Sequence, residues 1–462
     1  MAIERLKAIV GDGGWISDEA SLTPNVTEWR GAFAGRTPLL VSPATTAQVA
    51  GIVRVCAETA TGIVPQGGNT GLCGGAVPDR SGTQIILSLA RMDRVRSLSP
   101  ADFSMVVEAG CVLADVQSAA RDADRLFALS LAPEGSCQIG GNLSTNAGGV
   151  NVLRYGTARN QVLGLEVVLP DGTIWNGLRA LRKDTAGYDL KQLFIGAEGT
   201  LGIITAATLR LFPLPDNVQT AVLGIDSAGA AVALLAALHD RLADRIQAFE
   251  LISARALRYV LRHVPGTRAP MPEPQPWYVL LECAAEGDVE RFQAALMSTI
   301  DQGLARDAVI AGSARESDEF WRLRHSISEA QKHEGASLKH DVSVPVGRIG
   351  DFIEAAERAV GEIMPEARIV AFGHVGDGNV HFNISAPKNM SAAEFRDRGA
   401  AMSDAVYAIV DRYAGSFSAE HGIGTANRDL LRRYRDPTEL ALMRAVKRAL
   451  DPQDIMNPGK VL

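Results

Sequence analysis

Two histidines flank an Asp-Gly pair in the segment Gly373-His374-Val375-Gly376-Asp377-Gly378-Asn379-Val380-His381-Phe382-Asn383. Asp-Gly between apolar residues in alternation predicts a hairpin with a two-residue type I′ turn. With Asp377-Gly378 at its centre, His374 faces His381 on one side of the ladder, Cβ atoms roughly 5 Å apart, and Asn383 points the same way. Two imidazoles so placed can converge on one ion, since neutral imidazole is a common ligand for zinc and similar metals. A pair of satisfied sheet histidines fits the same residues equally well. Glu420 and His421 adjoin in Ser418-Ala419-Glu420-His421-Gly422. A carboxylate there can complete a metal site that keeps a position open for substrate, and the imidazole can act as a base.

A second set of residues suits phosphate. Pro65-Gln66-Gly67-Gly68-Asn69-Thr70-Gly71-Leu72 follows a strand-like stretch, and glycines leave backbone N–H groups uncovered for an anion. Pro133-Glu134-Gly135 leads to Ile139-Gly140-Gly141-Asn142 and on through Thr145, Asn146, Gly148 and Gly149. That stretch reads as one long irregular loop, of a length that is usually functional. Glu198-Gly199-Thr200-Leu201-Gly202-Ile203-Ile204 runs glycine into an apolar strand. None of the three is a P-loop or a GxGxxG turn. Together they suit an extended ligand with a diphosphate in its middle.

A third set offers cations. Arg324 and Ser328, four apart on an expected helix, share a face, and Arg presents a planar fork to a carboxylate. Lys339 enters a following strand. Solvated side chains are the ordinary fate of such residues.

The elements that must position these groups alternate. A capped amphipathic helix is expected at 43–60, strands at 62–65, 84–89 and 105–110, a helix at 113–125 and a strand at 163–170. Phe212-Pro213-Leu214-Pro215 reads as a joint. Beyond it come strand 220–226, helix 228–242, strand 277–283 and helix 288–302, then strand 340–346, helix 346–363, a strand pair over 368–385 and a long helix after 391. That pattern predicts two ferredoxin-like halves in one antiparallel sheet with helices on one face. The fold class is α+β, with one domain at 1–214, a second at 215–415 and a C-terminal segment, 416–462, that returns to complete the site.

Composition bounds the rest. The chain has 462 residues, 47% of them apolar, and a formal charge of −7, which argues against a nucleic-acid surface. No apolar run is long enough to span a bilayer. No secretory signal is visible, and the five cysteines form no CxxC pair, so a reducing, cytoplasmic setting is expected.

The three glycine loops, in their order over 38–213, resemble the FAD-binding domain of the vanillyl-alcohol oxidase / p-cresol methylhydroxylase flavoproteins. That resemblance implies FAD held by the loop residues named above, with Tyr155 and Asn457 beside them. Members with covalent flavin often carry a histidine near these loops. Here the first loop has Asn69, and no histidine occurs before His239, so the FAD is expected to be non-covalent.

From about 320 to 462 the chain resembles the FAD-linked D-lactate and D-2-hydroxyglutarate dehydrogenases. The resemblance implies a divalent metal, zinc being the expected one, on His374, His381 and Glu420. It places the base at His421 and the substrate on Arg324, Ser328, Lys339, Asn383 and His421. Many members carry Thr where this chain has Ser328. It further implies a small D-2-hydroxy acid as substrate, D-2-hydroxyglutarate going to 2-oxoglutarate being the expected case, with a homodimer and a separate electron acceptor such as an electron-transfer flavoprotein, a quinone or a cytochrome. Two alternatives stay open: a D-lactate dehydrogenase, and a non-redox transferase similar to alkyl-dihydroxyacetone-phosphate synthase.

Overall fold

The computed structural model describes residues 2–285 and 287–462. The chain divides into two units. The first comprises Met1–Gly148, Gly156–Leu214 and Glu420–Leu462, the second Gly149–Tyr155 and Pro215–Ala419. The sequence placed the boundaries at 214 and 415. The structure moves the later one to 419 and assigns the short piece Gly149–Tyr155 to the second unit, because Tyr155 and Leu153 pack on residues there: the Tyr155 hydroxyl donates to Gln247 Oε1 at 3.5 Å.

In the first unit the helix Thr46–Thr59 starts where the Thr45 hydroxyl accepts from the Gln48 N–H at 3.2 Å. Its Val49, Ile52, Val53 and Cys56 are buried at helical spacing. Beside it lies a small sheet in the order Trp15–Ile16, Leu40–Val41, Ile85–Ser88, Ile63–Gln66, whose last two strands run parallel. A second, antiparallel sheet has the order Val95–Ser99, Ser104–Glu108, Ile203–Arg210, Val162–Val168, Ile174–Gly177. The C-terminal tail returns to the first sheet, where Asn457 N–H donates to the Ile63 carbonyl at 2.8 Å. The long irregular loop expected after residue 133 contains a short helix, Ile139–Ser144, with Ile139 and Leu143 in the core. Those two large apolar residues, four apart, bury one face and make the turn helical.

The second unit is built on a wholly antiparallel sheet. Its order is Asp307–Ile310, Val218–Ile225, Trp277–Ala284, Ile246–Ser253, Arg368–Gly373, Asn379–Ser385, Ser337–Leu338, and Asp341–Ser343 also pairs with Asn379–Ser385. Helices cover both faces, not one as the sequence pattern suggested. Leu223, Phe249, Leu251, Val279 and Leu281 point to the helices Ala228–Leu242, Val289–Asp301, Ile349–Ile363 and Ala392–Arg412. Val222, Ile252, Tyr278, Leu280 and Phe372 point the other way, to Ala254–His263, Ala314–His325 and Ile327–Lys332. A strand buried on both sides reads as a continuous apolar run and loses the alternation that would reveal its second face. No described helix is long and apolar enough to cross a membrane.

Candidate active site

In the first unit the strand Ile63–Gln66 delivers the chain into the first glycine loop, and the third loop feeds the strand Ile203–Arg210. The cleft over the loops is open to solvent, and the space within and in front of it amounts to about 930 Å³. Pro65, Gln66, Gly67, Gly68, Asn69, Thr70, Gly71 and Leu72 line it, as do Gly140, Gly141, Asn142, Thr145, Glu198, Gly199, Gly202, Ile203, Ile204 and His421. Glycine is required for the loops to meet: a Cβ on Gly68 would stand 2.0 Å from the Ser136 carbonyl oxygen, and one on Gly140 2.8 Å from Ala109 Cβ. The Gln138 Oε1 atom is buried in the cleft wall with no hydrogen-bond partner among the described residues. A wall of bare backbone with an unsatisfied amide fits a polar, phosphate-bearing cofactor.

Several expected flavin residues do not line the cleft: Pro133, Glu134, Gly135, Ile139, Asn146, Gly148, Gly149, Tyr155 and Asn457. Glu134 instead ties its own loop, accepting from the Ser130 hydroxyl at 2.7 Å and the Leu131 N–H at 3.2 Å. Asn146 Oδ1 accepts from the Thr157 hydroxyl at 2.9 Å and the Arg159 N–H at 3.0 Å. Asn457 braces the cleft from behind, its Nδ2 donating to the carbonyls of Gly75 at 2.9 Å and Glu198 at 2.8 Å. The sequence reading missed Cys73, Gly75, Ala76, Gln138 and Ser144, which stand in or beside the loops it singled out. It also missed Leu89 and Ala109, which follow strand ends and carry no loop signal.

Glu198 has a second duty. Its two carboxylate oxygens accept from the N–H groups of Ile423 and Gly424, each at 2.7 Å, so it fixes the segment just after His421. Burial pushes its carboxyl above the usual range, against those two bonds. Glu420 Oε1 lies 3.7 Å from His421 Nε2.

In the second unit the hairpin differs from its expected register. His381 pairs with Phe372 on one side and with Asp341 on the other, while His374 lies beyond the end of the strand Arg368–Gly373. The turn is longer than two residues because the His374 carbonyl accepts from both Asp377 and Asn379 N–H groups, at 3.1 and 3.2 Å. The imidazoles still meet, ring centroids 5.8 Å apart and edge to face. Asp341, which the sequence reading did not select, offers a carboxylate oxygen within 4.8 Å of a His381 ring nitrogen. Asn383 is buried, its Nδ2 donating to Gln331 Oε1 at 2.8 Å.

Arg324 is only 7% exposed. Its Nε donates to Glu250 Oε2 at 2.7 Å, its guanidinium lies 5.0 Å over the Phe372 ring, and Glu250 Oε1 sits 2.6 Å from His374 Nδ1. Burial alone would raise the Glu250 carboxyl, but electrostatic attraction to His374 and Arg324 and their hydrogen bonds outweigh it and hold the carboxylate ionised. The terminal Nη2 of Arg324 is buried without a partner among the described residues. The helix expected to carry Arg324 and Ser328 on one face breaks at Ser326, and Ser328 is exposed on the next helix. Lys339 is exposed between two short strands. His340, by contrast, is pushed down to about 4 by burial and is neutral, its Nδ1 bonded to the Phe382 carbonyl at 2.8 Å and its Nε2 to the Ser403 hydroxyl at 2.9 Å.

Residues 37–177 match the FAD binding domain family, and residues 214–461 match the C-terminal domain of FAD linked oxidases. A mitochondrial D-2-hydroxyglutarate dehydrogenase of Bos taurus is 40% identical over 465 residues, covering 100% of this chain and 82% of the relative. The D-2-hydroxyglutarate dehydrogenase of Stutzerimonas stutzeri is 39% identical, covering 99% of this chain and 98% of the relative. Among solved structures, p-cresol methylhydroxylase with substrate bound superposes with a TM-score of 0.78 at 19% identity, over 100% of this chain and 96% of that one. An alkyldihydroxyacetonephosphate synthase gives 0.77 at 16% identity, over 99% and 85%. At those identities the two structures establish the fold.

Proposed function

We propose that this chain, which belongs to the family of FAD-linked D-2-hydroxyglutarate dehydrogenases, binds FAD without a covalent link and oxidises D-2-hydroxyglutarate to 2-oxoglutarate. The observation that carries the substrate is Arg324. A cation taken almost wholly from solvent, with its Nη2 left unpartnered among the described residues, has an unused capacity for an anion. A second substrate carboxylate supplies one; a monocarboxylate such as D-lactate has its only carboxylate beside the reacting carbon.

The roles divide as follows. The glycine loops hold the cofactor's diphosphate, and bound FAD supplies the two-electron acceptor for the substrate's C2 hydrogen. His374 and His381 offer imidazole nitrogens to a divalent metal, zinc being suited to them, and Glu420 is the carboxylate the resemblance adds. When bound, that metal supplies a Lewis acid for the substrate hydroxyl. His421 takes the hydroxyl proton, help typically worth about 10²–10⁴ in rate. Arg324 and Lys339 grip the distal carboxylate, Ser328 and Asn383 assist, and a separate electron acceptor would be needed to complete the cycle.

Anaerobic mixing tests this reading. D-2-hydroxyglutarate should bleach the bound flavin, the L-isomer should not, and D-lactate should do so much more slowly. Equal bleaching by D-lactate would remove the dicarboxylate; no bleaching by any hydroxy acid would remove the redox role.

A further inference from the structure

Glu250 lies on a strand that the sequence pattern did not announce, 74 residues from Arg324 and 124 from His374. It nonetheless bonds to both. Register explains how. The strand Ile246–Ser253 pairs antiparallel with Arg368–Gly373 through Ile252↔Phe372 and Leu251↔Gly373, and the same register carried one step past the strand end sets Glu250 opposite His374. The turn is pinned to the same strand a second time, where Gly376 N–H donates to the Phe249 carbonyl at 3.2 Å. Arg324 reaches Glu250 from the helix Ala314–His325, which packs on that face of the sheet.

Building on the function proposed above, we propose that Glu250 is a positioning residue that sets both the metal-binding imidazole of His374 and the substrate cation Arg324 from one carboxylate. By accepting at Nδ1 it selects the tautomer that leaves the Nε2 lone pair for a metal, the usual arrangement of a ligating histidine. By accepting at Nε of Arg324 it turns the Nη side of the guanidinium toward whatever anion arrives. An ion pair serving stability alone would gain from satisfying every donor, yet Arg324 keeps a buried Nη2 without a partner among the described residues. Glu250 bonds to Nε and leaves Nη2 unbonded.

The test uses flavin-loaded, metal-stripped enzyme titrated with Zn²⁺ alone, followed by kcat/KM for D-2-hydroxyglutarate and D-lactate. Glu250→Gln should keep its flavin spectrum while its zinc Kd weakens about 10–100-fold. Its preference for D-2-hydroxyglutarate over D-lactate should fall at least about tenfold, a change that simple loss of stability does not produce. Wild-type zinc affinity together with an unchanged preference would overturn the inference. Glu250→Asp covers the case in which Glu250→Gln does not fold. One methylene shorter, it can reach only one of its partners, so one of the two readouts must move, and wild-type values in both overturn the inference. His381→Ala separates the two levels. If it loses zinc while the Glu250 variants do not, the metal site stands and the role of Glu250 falls. If wild type binds no zinc and His381→Ala behaves alike, the metal site itself falls.

Discussion

The glycine-lined cleft and the cluster around Glu250 are built from opposite materials. The cleft is made of backbone: its wall carries few side chains, and its shape depends on their absence. The cluster is made of side chains: a fully buried carboxylate, a guanidinium and an imidazole from a strand, a helix and a turn. The two buried glutamates show the consequence. Glu198 meets two backbone N–H groups and is pushed up by burial; Glu250 meets charged side chains and is held down. Backbone dipoles can accept a charge without specifying it, whereas a paired charge is specified and is costly to break.

The largest effect should come from adding an atom to the backbone-built site. Gly68→Ala puts a Cβ 2.0 Å from the Ser136 carbonyl oxygen, with backbone on both sides of the clash. We expect purified protein without flavin, read from the ratio of flavin to protein absorbance. Gly135→Ala is the control. It was an expected flavin residue, yet it lies off the cleft and a Cβ there meets nothing within 4 Å, so the flavin should remain. Flavin retained in Gly68→Ala would mean that the loops do not need their close approach.

How much of this was legible follows the same division. Glycine runs are visible in a sequence because composition itself is the signal, so the loops 66–72, 140–145 and 198–204 were found. Residues that complete the cleft from strand ends, Leu89 and Ala109, were not, because nothing in their neighbourhood departs from an ordinary strand. The helices 46–59 and 228–242 were readable from periodicity and caps. The strand Ile246–Ser253 was passed over, since both its faces are buried and it shows no alternation. One signal there went unused: Glu250 is an acid inside the apolar run Ala248-Phe249-Glu250-Leu251-Ile252, and a buried charge demands a partner. Which partner no sequence states, because strand register decides it. His374 and His381 were paired rightly as neighbours and wrongly in register, since Asp-Gly allowed a shorter turn than the one that forms.

A middle-sized effect separates two cations that share one proposed role. Arg324→Ala leaves Glu250 buried without its guanidinium partner, a break that typically costs about 3–5 kcal/mol. Lys339→Ala removes an exposed side chain, which usually changes stability by less than about 0.5 kcal/mol. Both should lose roughly one to two powers of ten in kcat/KM for D-2-hydroxyglutarate. Thermal melts should therefore distinguish the two variants while the kinetics do not. Equal melting temperatures would mean that the Glu250 cluster relaxes and is not a rigid frame.

The smallest effect concerns a carboxylate that is paired like Glu250 but stands outside the site. Glu334 accepts from His263 Nε2 at 2.8 Å, from Arg262 at 2.9 Å and from Arg368 at 2.5 Å. Burial works to raise its carboxyl, but those three bonds outweigh it and hold it at about 2, below the ordinary 4.5. A carboxyl depressed in the folded state binds its proton less readily there than in the unfolded chain. Its stabilising contribution is thus complete above pH 4.5 and is lost as pH falls toward about 2. Glu334→Gln should be less stable than wild type at neutral pH, and the gap should narrow steadily on acidification through that window. The measurement is urea unfolding at a series of pH values, followed by tryptophan fluorescence. Glu198 predicts the contrary trend for the first unit. Its raised carboxyl favours the folded state most at low pH, and that contribution fades as pH rises through its folded value. If the Glu334→Gln gap stayed constant with pH, its carboxyl would titrate normally in the folded chain, and the contrast between paired and backbone-held carboxylates would rest on Glu250 alone.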